Sequence, residues 1–275
     1  MPELPETETI ARDLDREITG RRISDIAVGK ADVLRETTPL ELRARSVGSV
    51  IVRCWRRAKL VVLDFDSGDR LVVQPRFTGA LLVSRGPLPD AEARYSTMHF
   101  VLDDGRDLHY RDIRRLGTVA LMGAERFASY SAGLGEEPLD PAFTDAHLSG
   151  ILRASRQAVK KVLMDQRAVV GLGNIYANEA CWRAGVDPSR AARTLTTEET
   201  AALHAGIISV LTESIAARGT SFRDYRDATG GKGDFERSLA AYGRGNEPCL
   251  RCGARLIETH AIDGRSTVLC ARCQR

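Results

Sequence analysis

Near the C-terminus, Cys249, Cys252, Cys270 and Cys273 stand in the arrangement C-x2-C-x17-C-x2-C. Each short pair can bend two thiolates toward one point, and two such pairs complete a tetrahedral zinc site. The 17 residues between the pairs, GARLIETHAIDGRSTVL, carry Asp263-Gly264, a dipeptide that favours hairpin turns. The spacing therefore predicts a zinc ribbon of two short strands, with Gly264-Arg265-Ser266-Thr267 at a tip held away from the metal. Four protein thiolates leave no open coordination position, so one structural zinc ion is expected rather than a catalytic one. His260 is a possible substitute ligand, but the thiolates already fill the site. The alternative of disulfides or redox pairs suits an exported chain. The N-terminus has neither the charged nor the apolar region of a signal peptide, so the cytoplasm is the expected location. Cys54 and Cys181 lie in apolar stretches and read as buried thiols, not nucleophiles. From Tyr242 onward, Arg244, Arg251, Arg255, Arg265, Arg272 and Arg275 oppose Glu247, Glu258 and Asp263. Such a tail suits a polyanion or a solvated surface, and charge alone does not choose between them.

The remaining chain divides by pattern. A length of 275 residues favours about two domains, and no run approaches the ~20 apolar residues of a membrane span. Residues 2–18 read as a helix from Pro5 to Ile18, stopped by Gly20. Between residues 23 and 122, runs such as SVIVRCW, KLVVLDF, RLVVQPRF and MHFVLDDG are broken by Ser67-Gly68-Asp69 and Asp103-Asp104-Gly105. Short strands at that spacing predict a sandwich or barrel. Gly133, Gly135, Pro138 and Pro141 mark a linker over 132–145. Beyond it, Leu152, Val159, Val162 and Leu163 share one helical face, and a second helix ends at Gly219. In RAVVGLGNIYANEACW, Gly171 and Gly173 interrupt the helical pattern and Asn174 could cap the next helix. Glycines at a helix start free backbone N–H groups to face a phosphate; a tight turn between packed helices reads equally from these residues.

Taken together, N-terminal MPELPE, a β-rich first half, VVGLGNIYANE and a finger ending GRSTVLCARCQR resemble the formamidopyrimidine-DNA glycosylase and endonuclease VIII family of base-excision repair enzymes. The N-terminal motif and the four-cysteine finger are similar to the formamidopyrimidine branch. The resemblance implies an α+β protein. It comprises an N-terminal β-sandwich catalytic domain (1–131), a linker (132–145), a helix-two-turn-helix DNA-binding domain (146–238) and a zinc finger (239–275). The implied partner is duplex DNA bearing oxidised or abasic sites, met by a monomer away from membranes. The implied activity is removal of oxidised purines followed by cleavage at the abasic site. An endonuclease VIII-like preference for oxidised pyrimidines and a non-catalytic zinc-finger DNA binder are the alternatives.

The resemblance also assigns residues. After loss of Met1, the ring nitrogen of Pro2 is the nucleophile; an α-amino group with pKa near ~7.7–8.0 is partly neutral at pH 7. Glu3 would protonate the sugar ring oxygen. Glu6 would orient the amine, or simply sit as a carboxylate at the positive end of the helix. Lys59 would contact phosphate and assist β-elimination, though a lysine at a strand start is also an ordinary solvated charge. Arg265 would grip the phosphate beside the lesion. Asn174 and Lys160 would clamp phosphates. Phe77, Arg114 and Leu116 occupy the positions that fill the void left by a flipped nucleotide, with plain core packing as the alternative for Phe77 and Leu116. Tyr95 aligns with a DNA-contacting histidine. Residues 221–235 would form a lesion-sensing loop. The chain departs from the family pattern at Gln74-Pro75-Arg76-Phe77, at Leu116 and at Ala58.

Overall fold

The computed structural model describes residues 2–86, 88–221 and 225–275. It forms two compact units: Met1–Ala132 with Ala217–Asp234, and Gly133–Ala216 with Phe235–Arg275. The segment 217–234 thus joins the first unit, whereas the domain bounds implied by the resemblance (146–238) group it with the helices.

In the first unit, helix α1 spans Leu4–Ile18. Pro5 favours its first turn, and Glu6 reaches back so that its Oε2 accepts the Glu3 N–H at 2.7 Å. Leu4, Ile10, Leu14 and Ile18 are buried; Thr19 turns extended and Gly20 takes a φ of +83°, ending the helix. The remaining elements are strands β1 (Ile23–Val28) and β2 (Leu34–Arg35), helix α2 (Pro39–Ser46), and strands β3 (Ile51–Arg57), β4 (Leu60–Phe65), β5 (Arg70–Gln74) and β6 (Gly79–Arg85). Then come helix α3 (Asp90–Ala93), strands β7 (Ser96–Leu102), β8 (Arg106–Asp112) and β9 (Thr118–Met122), and helix α4 (Ala124–Ala132). They make a four-stranded sheet in the order β1-β7-β8-β6 and a five-stranded sheet in the order β2-β9-β5-β4-β3. Every pairing is antiparallel except β2 with β9. One core joins Val61, Leu63 and Val73 of one sheet, Leu81, Phe100 and Leu108 of the other, and Ile10 and Leu14 of α1. Burial of such side chains, each worth about 1.5–3 kcal/mol, holds the sandwich together.

In the second unit, α5 (Asp145–Arg153) and α6 (Val159–Met164) replace the single helix expected across this stretch. The break has a tertiary cause: Ser155 O and Gln157 O accept the N–H groups of Arg193 and Ala192, and Val159 N–H donates to Arg190 O, so 155–159 pairs with 190–193 rather than continuing its helix. Helices α7 (Asn174–Ala184) and α8 (Thr197–Ala216) come next, then the hairpin of β10 (Ile257–Thr259) and β11 (Thr267–Leu269). The stretch 133–138, expected as a linker, is docked: Gly135 N–H donates to Gln166 O and Val170 N–H to Glu136 O. A Cβ on Gly135 would meet Ala168 O at 2.4 Å, so this approach requires glycine. Among the described residues, no helix is long and apolar enough to cross a membrane.

Candidate functional site

The N-terminal residues singled out in the sequence are inside the first unit rather than fraying from it. Pro2, Glu3 and Glu6 are buried. The Glu6 carboxylate joins two pieces of chain: Oε2 accepts from Glu3 N and Oε1 accepts from Thr220 N at 2.8 Å. Glu6 is therefore more than a helix-end charge, because it fixes the backbone next to Pro2 and seats the start of 217–234. Lys59 lies in the β3–β4 turn, 8% exposed, which excludes the solvated-charge reading. Beside it, Ala58 adopts a φ of +54°, the left-handed region that glycine enters freely and alanine enters at about 1–2 kcal/mol. The departure noted at Ala58 thus falls where the turn favours glycine.

Phe77 and Leu116 are not core residues. They sit in the loops after β5 and after β8, 47% and 39% exposed, among the few large apolar side chains that face solvent. The Arg114 guanidinium lies 5.3 Å over the Phe77 ring, so these two side chains meet at the surface. Asp112 organises the second loop: its carboxylate accepts from Arg114 N at 3.2 Å, Gly117 N at 2.8 Å and Thr78 Oγ1 at 2.5 Å. The guanidiniums of Arg94 and Arg111 lie 4.7 and 5.8 Å from the Tyr95 ring. Of the expected lesion-sensing loop, Phe222, Arg223 and Asp224 lie outside the described residues, as does Met1.

In the second unit, Gly173 rather than Asn174 is the N-cap of α7, and Asn174 is its first helical residue. Asn174 is half-buried and its Oδ1 has no hydrogen-bond partner among the described residues. Lys160 requires a correction. It is fully buried, and its Nζ donates to Ser266 O at 2.7 Å and Thr267 Oγ1 at 2.8 Å. An ammonium with no exposed surface does not reach a phosphate; it braces the loop that carries Arg265. Arg265 is exposed at that loop's tip, where Asp263 and Gly264 take φ of +50° and +65° and Arg265 N–H closes on Ile262 O at 3.0 Å, a turn of the kind Asp-Gly favours.

Two further side chains of α7 hold the finger, and sequence reasoning missed both. Asn178 Oδ1 accepts from Val268 N at 2.9 Å. Glu179, fully buried, accepts the N–H groups of Ala240, Ala241 and Tyr242 at 2.8–2.9 Å. Burial raises the Glu179 carboxyl above the usual range, and the three N–H donors pull it back only in part. Both residues lie in the GNIYANE run, but nothing in their spacing names a partner some 60 or 90 positions away.

The four cysteine sulfurs lie within 4.8 Å of one another, and His260 is exposed and outside the cluster. Thiolates so placed fit zinc. Around them pack Ala241, Leu256, Val268 and Trp182. Among the described residues, the buried Trp182 indole nitrogen has no hydrogen bond of regular geometry, though it is close enough to the Cys249 sulfur to favour its thiolate. Burial opposes ionisation of Cys249, but the backbone N–H groups of Arg251 and Cys252 and the indole N–H bring its pKa down to about 6. The two remaining cysteines behave oppositely. Burial pushes Cys181 up to about 12 and Cys54 higher still, in keeping with inert thiols.

Comparison with known proteins places this geometry. The formamidopyrimidine-DNA glycosylase N-terminal domain matches residues 1–119, the H2TH domain of the same enzymes matches 134–226, and a zinc finger found in FPG and IleRS matches 246–275. The formamidopyrimidine-DNA glycosylase of Roseiflexus sp. is 39% identical over the whole of both chains, and that of Desulfitobacterium hafniense is 40% identical. The chain belongs to the formamidopyrimidine-DNA glycosylase family. Among solved structures, the Lactococcus lactis protein in complex with DNA containing an abasic site is 29% identical and superimposes with a TM-score of 0.91 over 99% of both chains. The Thermus thermophilus protein is 33% identical, with a TM-score of 0.87 over 99% of this chain and 98% of that one.

For this formamidopyrimidine-DNA glycosylase family member, the α+β architecture of β-sandwich, helical domain and zinc finger stands as expected. The four cysteines are the ligands that would hold a zinc ion; bound there, the ion would tie the finger's two knuckles together and take no part in bond making. The structure brings Pro2, Glu3, Glu6 and Lys59 into one unit, and Asn174, Lys160, Arg265 and the cysteines into the other.

Proposed function

We propose that this chain is a bifunctional DNA glycosylase and abasic-site lyase that excises oxidised purines, such as 8-oxoguanine and ring-opened guanine, from duplex DNA. The observation that carries the reading is the N-terminus. A buried proline and a buried glutamate lead into helix α1, whose third residue, Glu6, holds the Glu3 N–H with its carboxylate. A ragged terminus would need no such arrangement. Family membership and the DNA complexes of the Lactococcus lactis relative support the substrate class.

Once Met1 is removed, the Pro2 nitrogen lone pair attacks C1′ of the damaged nucleotide, the bond from C1′ to the base breaks with its electron pair leaving on the base, and the departing base takes up the proton that the Pro2 nitrogen gives up. Glu3 protonates the ring oxygen as the C1′–O4′ bond opens, leaving an iminium between Pro2 and the sugar. That cation acidifies the C2′ proton. Lys59 assists its removal, and the 3′ phosphate leaves; a second elimination releases the 5′ phosphate, whose charge Arg265 stabilises. Asn174 at the start of α7 holds flanking phosphate. Phe77 with the Arg114 guanidinium over its ring, and Leu116, all exposed, fill the gap left by the extruded nucleotide. Zinc takes no part in these steps.

The test is borohydride reduction with duplexes containing an abasic site or individual oxidised bases. A covalent protein–DNA adduct is expected, weakened in Pro2→Gly and abolished where Met1 is retained. Normal turnover by protein shown by mass spectrometry to keep Met1 would refute the nucleophile. A preference for oxidised pyrimidines across the lesion panel would move the chain to endonuclease VIII-like specificity, and the absence of any adduct would leave a DNA binder.

A further inference from the structure

Arg218 stands two residues beyond α8 with a φ of +62°, immediately before Gly219 at +85°. A non-glycine residue in the left-handed region persists only where its surroundings hold it. Two carboxylates hold this one. Arg218 Nη2 donates to Asp13 Oδ2 and to Asp227 Oδ2, each at 2.6 Å, and Nε donates to the same Asp227 oxygen at 3.1 Å. Both acids are buried, and Asp13 also pairs with Arg16. The other oxygen of Asp227 accepts from Thr229 N at 3.0 Å, Thr229 Oγ1 at 2.9 Å and Gly231 N at 2.7 Å, so the turn 227–231 is built around it. One guanidinium therefore ties three things together: the middle of α1, the start of segment 217–234 and the turn near its end.

The segment is seated as well as tied. Ala228 O accepts from Val83 N of β6, Asp234 N donates to Ala217 O, and Tyr225 and Ala228 join the sandwich core. From the clasp to the N-terminus is a short path. Thr220 N, two residues past Arg218, donates to Glu6 Oε1, and Glu6 Oε2 accepts from Glu3 N. The fit is close: a Cβ on Gly219 would come within 2.9 Å of Glu6 Oε1.

We propose that Arg218 is a positioning residue for the N-terminal nucleophile: by clamping Asp13 to Asp227 it fixes Thr220, and through Thr220 the Glu6 carboxylate that orients Glu3 and Pro2. This rests on the proline-nucleophile reading above. Losing the guanidinium leaves Asp13 and Asp227 as buried, mutually repelling carboxylates at the base of the segment, and the displacement passes along two hydrogen bonds to the amine. A misplacement of about 1 Å at a reacting group can cost ~10²-fold in rate.

The experiment is single-turnover borohydride trapping on an abasic duplex at saturating protein, with DNA affinity, thermal stability and amide exchange measured in parallel. Arg218→Ala is expected to slow trapping roughly tenfold. DNA affinity should stay within about twofold, since no phosphate contact is removed. Exchange at the Thr220 and Glu3 amides should quicken, while Ile10 and Leu14 on α1 stay protected. Asp13→Ala combined with Arg218→Ala removes the repulsion and should recover part of the rate, and Arg218→Lys should be intermediate. If Arg218→Ala destabilises the fold at the assay temperature, Arg218→Lys carries the test, with the same ordering of trapping rate and amide exchange. Trapping at the wild-type rate per folded molecule in these variants, or exchange quickened uniformly along α1, overturns the clasp. A wild-type protein that gives no adduct overturns the nucleophile reading and the clasp together, whereas wild-type trapping with indifferent variants overturns the clasp alone.

Discussion

Replacing Trp182 by phenylalanine tests how the finger is held, and the sign of the effect decides the matter. The indole ring packs against the cysteine cluster beneath the Arg251 guanidinium, 4.6 Å away, and that guanidinium also donates to the carbonyls of Trp182 and Arg183 at 3.2 and 3.1 Å. Among the described residues, the buried indole N–H has no regular hydrogen-bond partner, and it lies close enough to the Cys249 sulfur to favour the thiolate. If that sulfur is a zinc-bound thiolate, the N–H stabilises its charge, and removing such an outer-shell donor typically costs ~10–100-fold in metal affinity, or about 1.4–2.7 kcal/mol. If the N–H bonds to nothing, its loss removes a desolvation penalty of about 1–3 kcal/mol and the variant should be more stable. Competition for zinc against a chromophoric chelator separates the two, with far-UV circular dichroism to confirm the fold. With only two tryptophans in the chain, Trp182 emission should also change on metal removal in the wild-type protein, leaving the variant with Trp55 alone. Zinc affinity in Trp182→Phe equal to or above wild type would refute the N–H to thiolate bond.

Phe77→Ala should leave the melting temperature nearly unchanged, within about 0.5 kcal/mol of stability as for exposed sites generally, while slowing base release from lesion-containing duplexes. A loss of the ~3–5 kcal/mol seen for buried phenylalanines would return Phe77 to the core. Lys160→Met keeps most of the stem and removes the ammonium that grips Ser266 and Thr267. It should loosen the finger loop in amide exchange yet leave the salt slope of DNA binding unchanged; a slope reduced by about one would show that Lys160 contacts phosphate after all.

The readings that succeeded were those in which chemistry depends on local spacing. Two CxxC pairs fix where four sulfurs can meet, Asp263-Gly264 fixes a turn, and Pro5 with Glu6 starts a helix, because each depends on a few neighbouring residues. Glu6 shows where such reading stops. Its place near the start of the helix predicts a carboxylate at the positive helix end, but not the bond to Glu3 N, nor the second oxygen's bond to Thr220, 214 residues away. Lys160 failed for the same reason. On a helix it reads as one more surface cation, and only the packing of the finger hairpin against α6 and α7 shows that its ammonium is consumed inside.

The division is physical. By itself the sequence determined the strand-rich first half, the helical second half, the metal-binding finger and the family, since backbone propensity, hydrophobic alternation and ligand spacing act over short stretches. Tertiary structure alone decided that 145–164 is two helices rather than one, that segment 217–234 belongs with the sandwich, and that Phe77 and Leu116 are exposed. It also paired Arg218 with Asp13 and Asp227, and Glu179 with the backbone ahead of the finger. Burial and partner choice depend on which distant groups the fold brings within about 3 Å, and no local pattern carries that distance.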